Sequence, residues 1–187
     1  MNRNLLIGLG ILVVVLLGGV GMYNGLVQKD VSVTTAWSQV ENVLQRRADL
    51  IPNLVSSTKG YMQHEKAIFE DLAKARSQYA GAKSQGEKVA AGQQMEGALA
   101  RLLLIVENYP NLKANESFNK LMDELSGSEN RIAVERKRYN EAVQDFNTTI
   151  RTLPNNLIAG TFGFKPKEFF QATEAAKEVP KVDFGTK

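Results

Sequence analysis

Cysteine is absent from the 187 residues, and histidine occurs once, as His64. Without cysteine there is no disulfide, no lipid-modified thiol, and no thiolate nucleophile or metal ligand. His64 is followed by Glu65, but a zinc-protease pair needs a second histidine four residues on, where Ile68 stands. No glycine-rich loop closes on Lys-Ser or Lys-Thr, which excludes a phosphate cradle of the P-loop kind. A charge excess is lacking too: 23 basic against 20 acidic residues, with the signs interspersed, gives a net +3. That is not the footprint of a nucleic-acid partner. Proline is scarce, at positions 52, 110, 154, 166 and 180, and strand-like alternation is missing. Ala, Glu, Lys, Gln, Arg and Leu dominate the middle of the chain, which suits helix. The expectation is an all-α, non-enzymatic protein with no catalytic, cofactor-binding or metal-ligating residues.

What is present in abundance stands at the start. From Leu5 to Met22 no side chain is charged, and twelve of these eighteen residues are Leu, Ile or Val. Eighteen residues make a helix of about 27 Å, against a hydrocarbon core of about 30 Å. The twelve aliphatic side chains favour insertion by about 4–7 kcal/mol. A cleaved secretory signal is the competing reading. The run is longer than a usual signal core, and Gly19-Val20-Gly21 is a poor cleavage site, so a retained transmembrane helix over about 5–22 is expected. Gly21 and Gly25 form a small-xxx-small pair at the membrane exit, the spacing that lets two helices approach closely. Arg3 and the amino group on one side outweigh Lys29 on the other by a single charge, which leans towards a cytoplasmic amino terminus.

The body repeats every seven residues. Phe118, Leu125, Ile132, Tyr139, Phe146 and Leu153 form one row, and Met122, Glu129, Arg136, Val143 and Ile150 a second. Earlier, Val33, Val40, Arg47, Leu54, Tyr61 and Ile68 alternate with Trp37, Leu44, Ile51, Thr58, Glu65 and Leu72. Such repeats commit a helix to one long seam with left-handed supercoiling. Asn115 is the expected N-cap of the later helix, and Pro154 its stop. In the earlier helix, Pro52 either kinks a continuous helix or opens a new one. The stretch from Gly81 to Gly92 reads as a turn, followed by an apolar stripe at Met95, Leu99, Leu102, Leu103 and Val106. The expected architecture is a transmembrane helix followed by an elongated antiparallel helical bundle with coiled-coil-like packing.

Three charged residues, Arg47, Glu129 and Arg136, fall on seam rows. Either they form a buried polar layer that fixes register, or their stems lie along the seam while their heads reach water. The clusters Arg46-Arg47 and Arg136-Lys137-Arg138 read as solvated faces. Five of the eight phenylalanines lie in the last 26 residues: Phe162, Phe164, Phe169, Phe170 and Phe184. This segment either folds back to plug one end of the bundle or docks on a second subunit or a membrane surface.

Several strings have a familiar order. Tyr23-Asn24-Gly25-Leu26-Val27 follows the apolar run. Trp37 precedes Arg46-Arg47-Ala48-Asp49-Leu50-Ile51-Pro52-Asn53-Leu54-Val55. Glu107-Asn108-Tyr109-Pro110-Asn111-Leu112-Lys113 lies mid-chain, and Arg138-Tyr139-Asn140-Glu141-Ala142-Val143 is followed by Asn147 and Phe162-Gly163-Phe164. Together these resemble the LemA family of bacterial membrane proteins, from the apolar run to about Phe170. The resemblance implies one membrane helix, an α-helical body and a place in the bacterial inner membrane. It implies no activity. The family's usual description puts the short amino terminus outside, opposite to the charge lean, so the side of the body stays open. The expected organisation is an anchor over 1–28, a long-helix bundle over 29–153 and an aromatic segment, partly flexible, over 154–187. The expected function is a self-assembling scaffold tied to the lipid bilayer, a homo-oligomer. The alternative is an adaptor that holds a peptide or membrane-protein partner in a bundle groove. The assembly candidates are Gly21, Gly25, Arg47, Glu129, Arg136, Tyr139, Phe162, Phe164, Phe169 and Phe170.

Overall fold

The computed structural model describes residues 3–171. Among these residues the regular structure is all helix: α1 (Arg3–Thr58), α2 (Lys66–Gly81), α3 (Gln85–Val106), α4 (Pro110–Lys113), α5 (Glu116–Thr149) and α6 (Asn155–Phe162). The chain divides into two compact units, each fed by both long helices. The first holds 3–43 with 130–169; the second holds 44–129 with 170–171.

In the first unit the seven-residue rows become core. Leu26, Val33 and Val40 of α1 are buried, as are Ile132, Tyr139, Val143 and Phe146 of α5. Lys29 pairs with Asp145, and the Trp37 ring meets Tyr139 edge-on at 5.6 Å, so the two helix segments run antiparallel. α5 ends at Thr149, short of the stop expected at Pro154. Leu153, sixth in its row, is therefore outside the helix and 74% exposed. α6 closes at Gly163, whose φ of 77° is the left-handed conformation a helix end commonly needs; the N–H groups of Gly163 and Phe164 both reach the Ala159 carbonyl.

In the second unit, the end of α1 packs with α2, α3, α4 and the start of α5 around Leu44, Ile51, Leu54, Met62, Leu72, Met95, Leu102 and Leu112, all buried. Pro52 lies inside α1, so no new helix opens at 49–52. Without an N–H, Pro52 leaves the Ala48 carbonyl unpaired within the helix. Arg76 of α2 supplies the missing donor, its Nε reaching Ala48 O at 3.3 Å. α1 does end at Thr58, six residues later, so Tyr61 is outside it and 44% exposed, while Ile68 and Leu72 bury their side chains from α2.

The turn expected over 81–92 is only 82–84. A capping box overrides the glycines: Ser84 Oγ accepts from the Glu87 N–H at 3.2 Å, and Glu87 Oε2 accepts from the Ser84 N–H at 3.1 Å. Gly86 and Gly92 are helical. At Gly92 a Cβ would sit 3.3 Å from a Leu44 methyl, so glycine there allows the close approach of α3 to α1. Asn115 caps α5 as expected, its Oδ1 accepting from the Phe118 N–H at 3.1 Å.

Candidate interaction sites

The apolar run contributes nothing to either core. Every side chain from 3 to 18 is exposed, and all twelve aliphatic residues of the run are among the exposed large apolar groups. This is the single stretch among the described residues that is long and apolar enough to cross a membrane. At Gly21 and Gly25 an added Cβ would meet nothing within 4 Å, so this face of α1 is open.

Immediately after the run, the first unit gathers its rings. Tyr23 lies 4.8 Å from Phe162 and 5.9 Å from Phe164, and Phe164 lies 6.3 Å from Phe146, centre to centre. Lys167 sits 5.6 Å over the Phe146 ring while its ammonium pairs with Asp30 at 2.7 Å. Residues 164–169 carry no regular secondary structure and are held to the unit by side chains. The Tyr139 hydroxyl donates to Glu168 O at 2.8 Å. Asn147 grips Lys167 from both sides, donating to its carbonyl and accepting from its N–H, each at 2.8 Å.

The residues of the aromatic segment take different places. Phe164 takes part in the cluster, and Phe170 is buried in the second unit. Both fit the fold-back alternative. Phe162 at 60% exposure and Phe169 at 47% keep large faces open. Phe184 lies outside the described residues. In the sequence Lys29 stands out only as a charge flanking the apolar run and Asn147 only as part of a family string; nothing there marks either of them, or Asp30 and Asp145, as positioning this site.

The charged seam residues also separate. Arg47 is 5% exposed and donates from Nη2 to Glu129, whose side chain is 41% exposed. Their seam rows brought both to one place, but only the fold pairs them. The Nε and Nη1 of Arg47 are buried without a hydrogen-bond partner, so Glu129 carries the whole compensation of a buried cation. Arg136 is half-buried on α5 in the first unit. Its neighbours in the basic cluster are solvated, Arg138 pairing with Glu135 at 2.7 Å and Lys137 with Glu141 at 3.7 Å.

A groove of about 300 Å³ runs between α2 and α3, floored by Ala75, Gly97 and Ala98 and edged by Lys74, Gln78 and Gln94. An Asp71–Arg101 pair at 3.0 Å stands at one end. Among the described residues no three His, Cys, Asp or Glu side chains gather in a way that could hold a metal ion. Two tyrosines are perturbed in this unit. Burial, then the charge of Asp49, pushes Tyr79 up to about 12. Burial and the hydrogen bond to Glu65 raise Tyr109 as well.

The sequence profile described as "LemA family" matches residues 36–184. Among curated proteins, magnetosome protein MamQ 2 of Paramagnetospirillum magneticum is 28% identical over 179 residues, covering 82% of this chain and 66% of that protein. Magnetosome protein MamQ of Magnetospirillum gryphiswaldense is 27% identical over the same shares. Protein LemA of Metamycoplasma hominis is 25% identical over 168 residues, 89% of this chain and 75% of that one. The chain thus spans just under two thirds of the length of the magnetosome relatives. None of these names denotes an enzyme. With the exposed apolar span, they indicate a membrane-associated helical protein.

Proposed function

This chain belongs to the LemA family, and on that premise we propose that it is a single-pass protein of the bacterial inner membrane that self-assembles there into a scaffold. The observation that carries this is α1. One helix begins as a fully exposed apolar rod and ends as core of a packed body. Twelve aliphatic side chains exposed to water are unfavourable, and a bilayer removes that penalty.

Self-assembly is supported by surfaces left unpaired. The Gly21–Gly25 face is open to a second helix, and Val31, Val134, Leu103 and Leu104 are exposed on the body. The second reading, an adaptor, is favoured by the α2–α3 groove, whose small-residue floor and polar edges suit an amphipathic helix.

Because the chain has no cysteine, single substitutions report on helix pairing directly. Oxidation of the full-length chain in membrane vesicles is expected to crosslink Gly21→Cys and Gly25→Cys into dimers. Leu12→Cys, half a turn round the helix, is expected to stay monomeric. Equal crosslinking at all three positions, or none, would contradict association through this face.

A further inference from the structure

We propose that α6 is an interfacial helix, lying at the headgroup–acyl boundary of the same leaflet from which α1 emerges. This rests on the membrane-tether reading and adds a second, separate contact with lipid. The segment 152–164 holds no charged residue, while exposed Arg151 and Lys165 flank it on either side. Within it Leu153 is 74% exposed, Leu157 64% and Phe162 60%, although Ala159 is buried against the rest of the unit. In this short helix Ala159 faces the unit's core and Ile158 is half-buried, while Leu157 and Phe162 face out, which is the polarity of a membrane-surface element.

Its height on the molecule is fixed by the rings. The Phe162 ring meets Tyr23 at a tilt, 4.8 Å centre to centre, and Tyr23 is the first residue after the apolar run. Tyrosine at that position is the usual marker of the membrane–water boundary. The next charged residues on α1 are Lys29 and Asp30, which pair with Asp145 and Lys167. Six residues of helix separate Tyr23 from Lys29, about 9 Å of rise. The interfacial layer on each side of a bilayer is about 5–8 Å thick. With the run filling the hydrocarbon, Tyr23, Phe162 and α6 therefore fall within the interfacial layer, and both ion pairs fall in water. Arg151 and Lys165 then face anionic headgroups from either end of the uncharged segment, the basic-and-apolar pairing that surface helices use. The bilayer is the one occupant that continues a surface the chain already presents, since the apolar face of α6 adjoins the end of the span.

The test uses nitroxides attached to single cysteines in the full chain, reconstituted in vesicles of phosphatidylethanolamine and phosphatidylglycerol. Collision with oxygen is compared with collision with a water-soluble nickel chelate. Val14→Cys reports the span, Lys137→Cys the exposed face of α5, and Leu157→Cys the inference. The oxygen-to-nickel ratio at Leu157→Cys is expected several-fold above that at Lys137→Cys and below that at Val14→Cys. If Val14→Cys is in hydrocarbon but Leu157→Cys matches Lys137→Cys, α6 is aqueous: the inference falls while the tether stands. If Val14→Cys itself matches Lys137→Cys, the tether falls and takes the inference with it. A Leu157→Cys label immobilised and shielded from both reagents would mean protein covers α6, which also overturns the proposal.

Discussion

The two units use the same two long helices but cohere by different means. The first is held by rings and by a non-helical segment: Tyr23, Phe146, Phe162 and Phe164 touch in series, and Tyr139 and Asn147 hold residues 167 and 168 by their main chain. The second is an aliphatic core sharpened by local polar devices: a buried Arg47 answered by Glu129, a proline gap answered by Arg76, and helix caps at Ser84 and Asn115. The lesson is that a seven-residue repeat sets where a helix is buried but not what completes the burial. In one unit a distant segment completes it; in the other, individual charges do.

The largest expected effect breaks the first unit. Phe146 is fully buried, between Phe164 and Lys167. Phe146→Ala should destabilise by about 3–5 kcal/mol, read from urea unfolding, because the cavity adjoins a tail with no ladder of its own. A loss below about 1 kcal/mol would mean the tail contributes little to that core.

The second unit breaks through its charge pair. Glu129→Ala should cost about 2 kcal/mol. This is less than the ~3–5 of a fully buried pair, because water reaches Glu129 and screens part of the attraction. Arg47→Met should change stability by under about 1 kcal/mol, since it removes the buried charge along with its need for a partner. Equal losses in both variants would show that the Arg47 stem packs rather than that its head is compensated.

A smaller effect sharpens the role of Arg76. Arg76→Ala should cost about 1 kcal/mol by leaving the Ala48 carbonyl unpaired. In a Pro52→Ala background, where the helix regains its own donor, the same change should cost almost nothing. A double-mutant cycle with no coupling would refute the pairing of the two.

The pH dependence is smallest and falls mainly on the second unit. Backbone N–H groups of Lys83 and Ser84 hold the Glu87 carboxyl below its ordinary value. Its stabilisation is therefore present above the ordinary carboxylate range and lost as pH falls through the lowered value. Tyr79 runs the other way: raised to about 12 from 10, it contributes stability below pH 10 that is lost as pH climbs towards 12. Glu87→Gln should flatten the acid limb of a stability–pH curve, and Tyr79→Phe the alkaline limb.

Much of this fold was legible in the chain, and the exceptions have physical reasons. The rows through Val33 and Val40 and through Phe118 to Phe146 are buried as their spacing requires. The turn expected over Gly81–Gly92 shrinks to 82–84 because Ser84-x-x-Glu87, a helix-start signal present in the sequence, outweighs the glycine content. Leu153 failed because a repeat can outlast its helix. Arg47 and Glu129 stand out as costly seam positions, yet pairing residues 82 apart depends on which helices meet. For Arg76, and for Asn147 beyond its place in a family string, the contact was invisible for a related reason. Each serves a backbone group in another segment, and backbone groups leave no trace in side-chain patterning.

The most direct test of the central claim is the mass of the full-length chain in mild detergent, by native mass spectrometry. A self-assembling membrane scaffold predicts a discrete homo-oligomer that persists on dilution. A monomer at every concentration would contradict it, and would leave the α2–α3 groove as the surface through which this protein works.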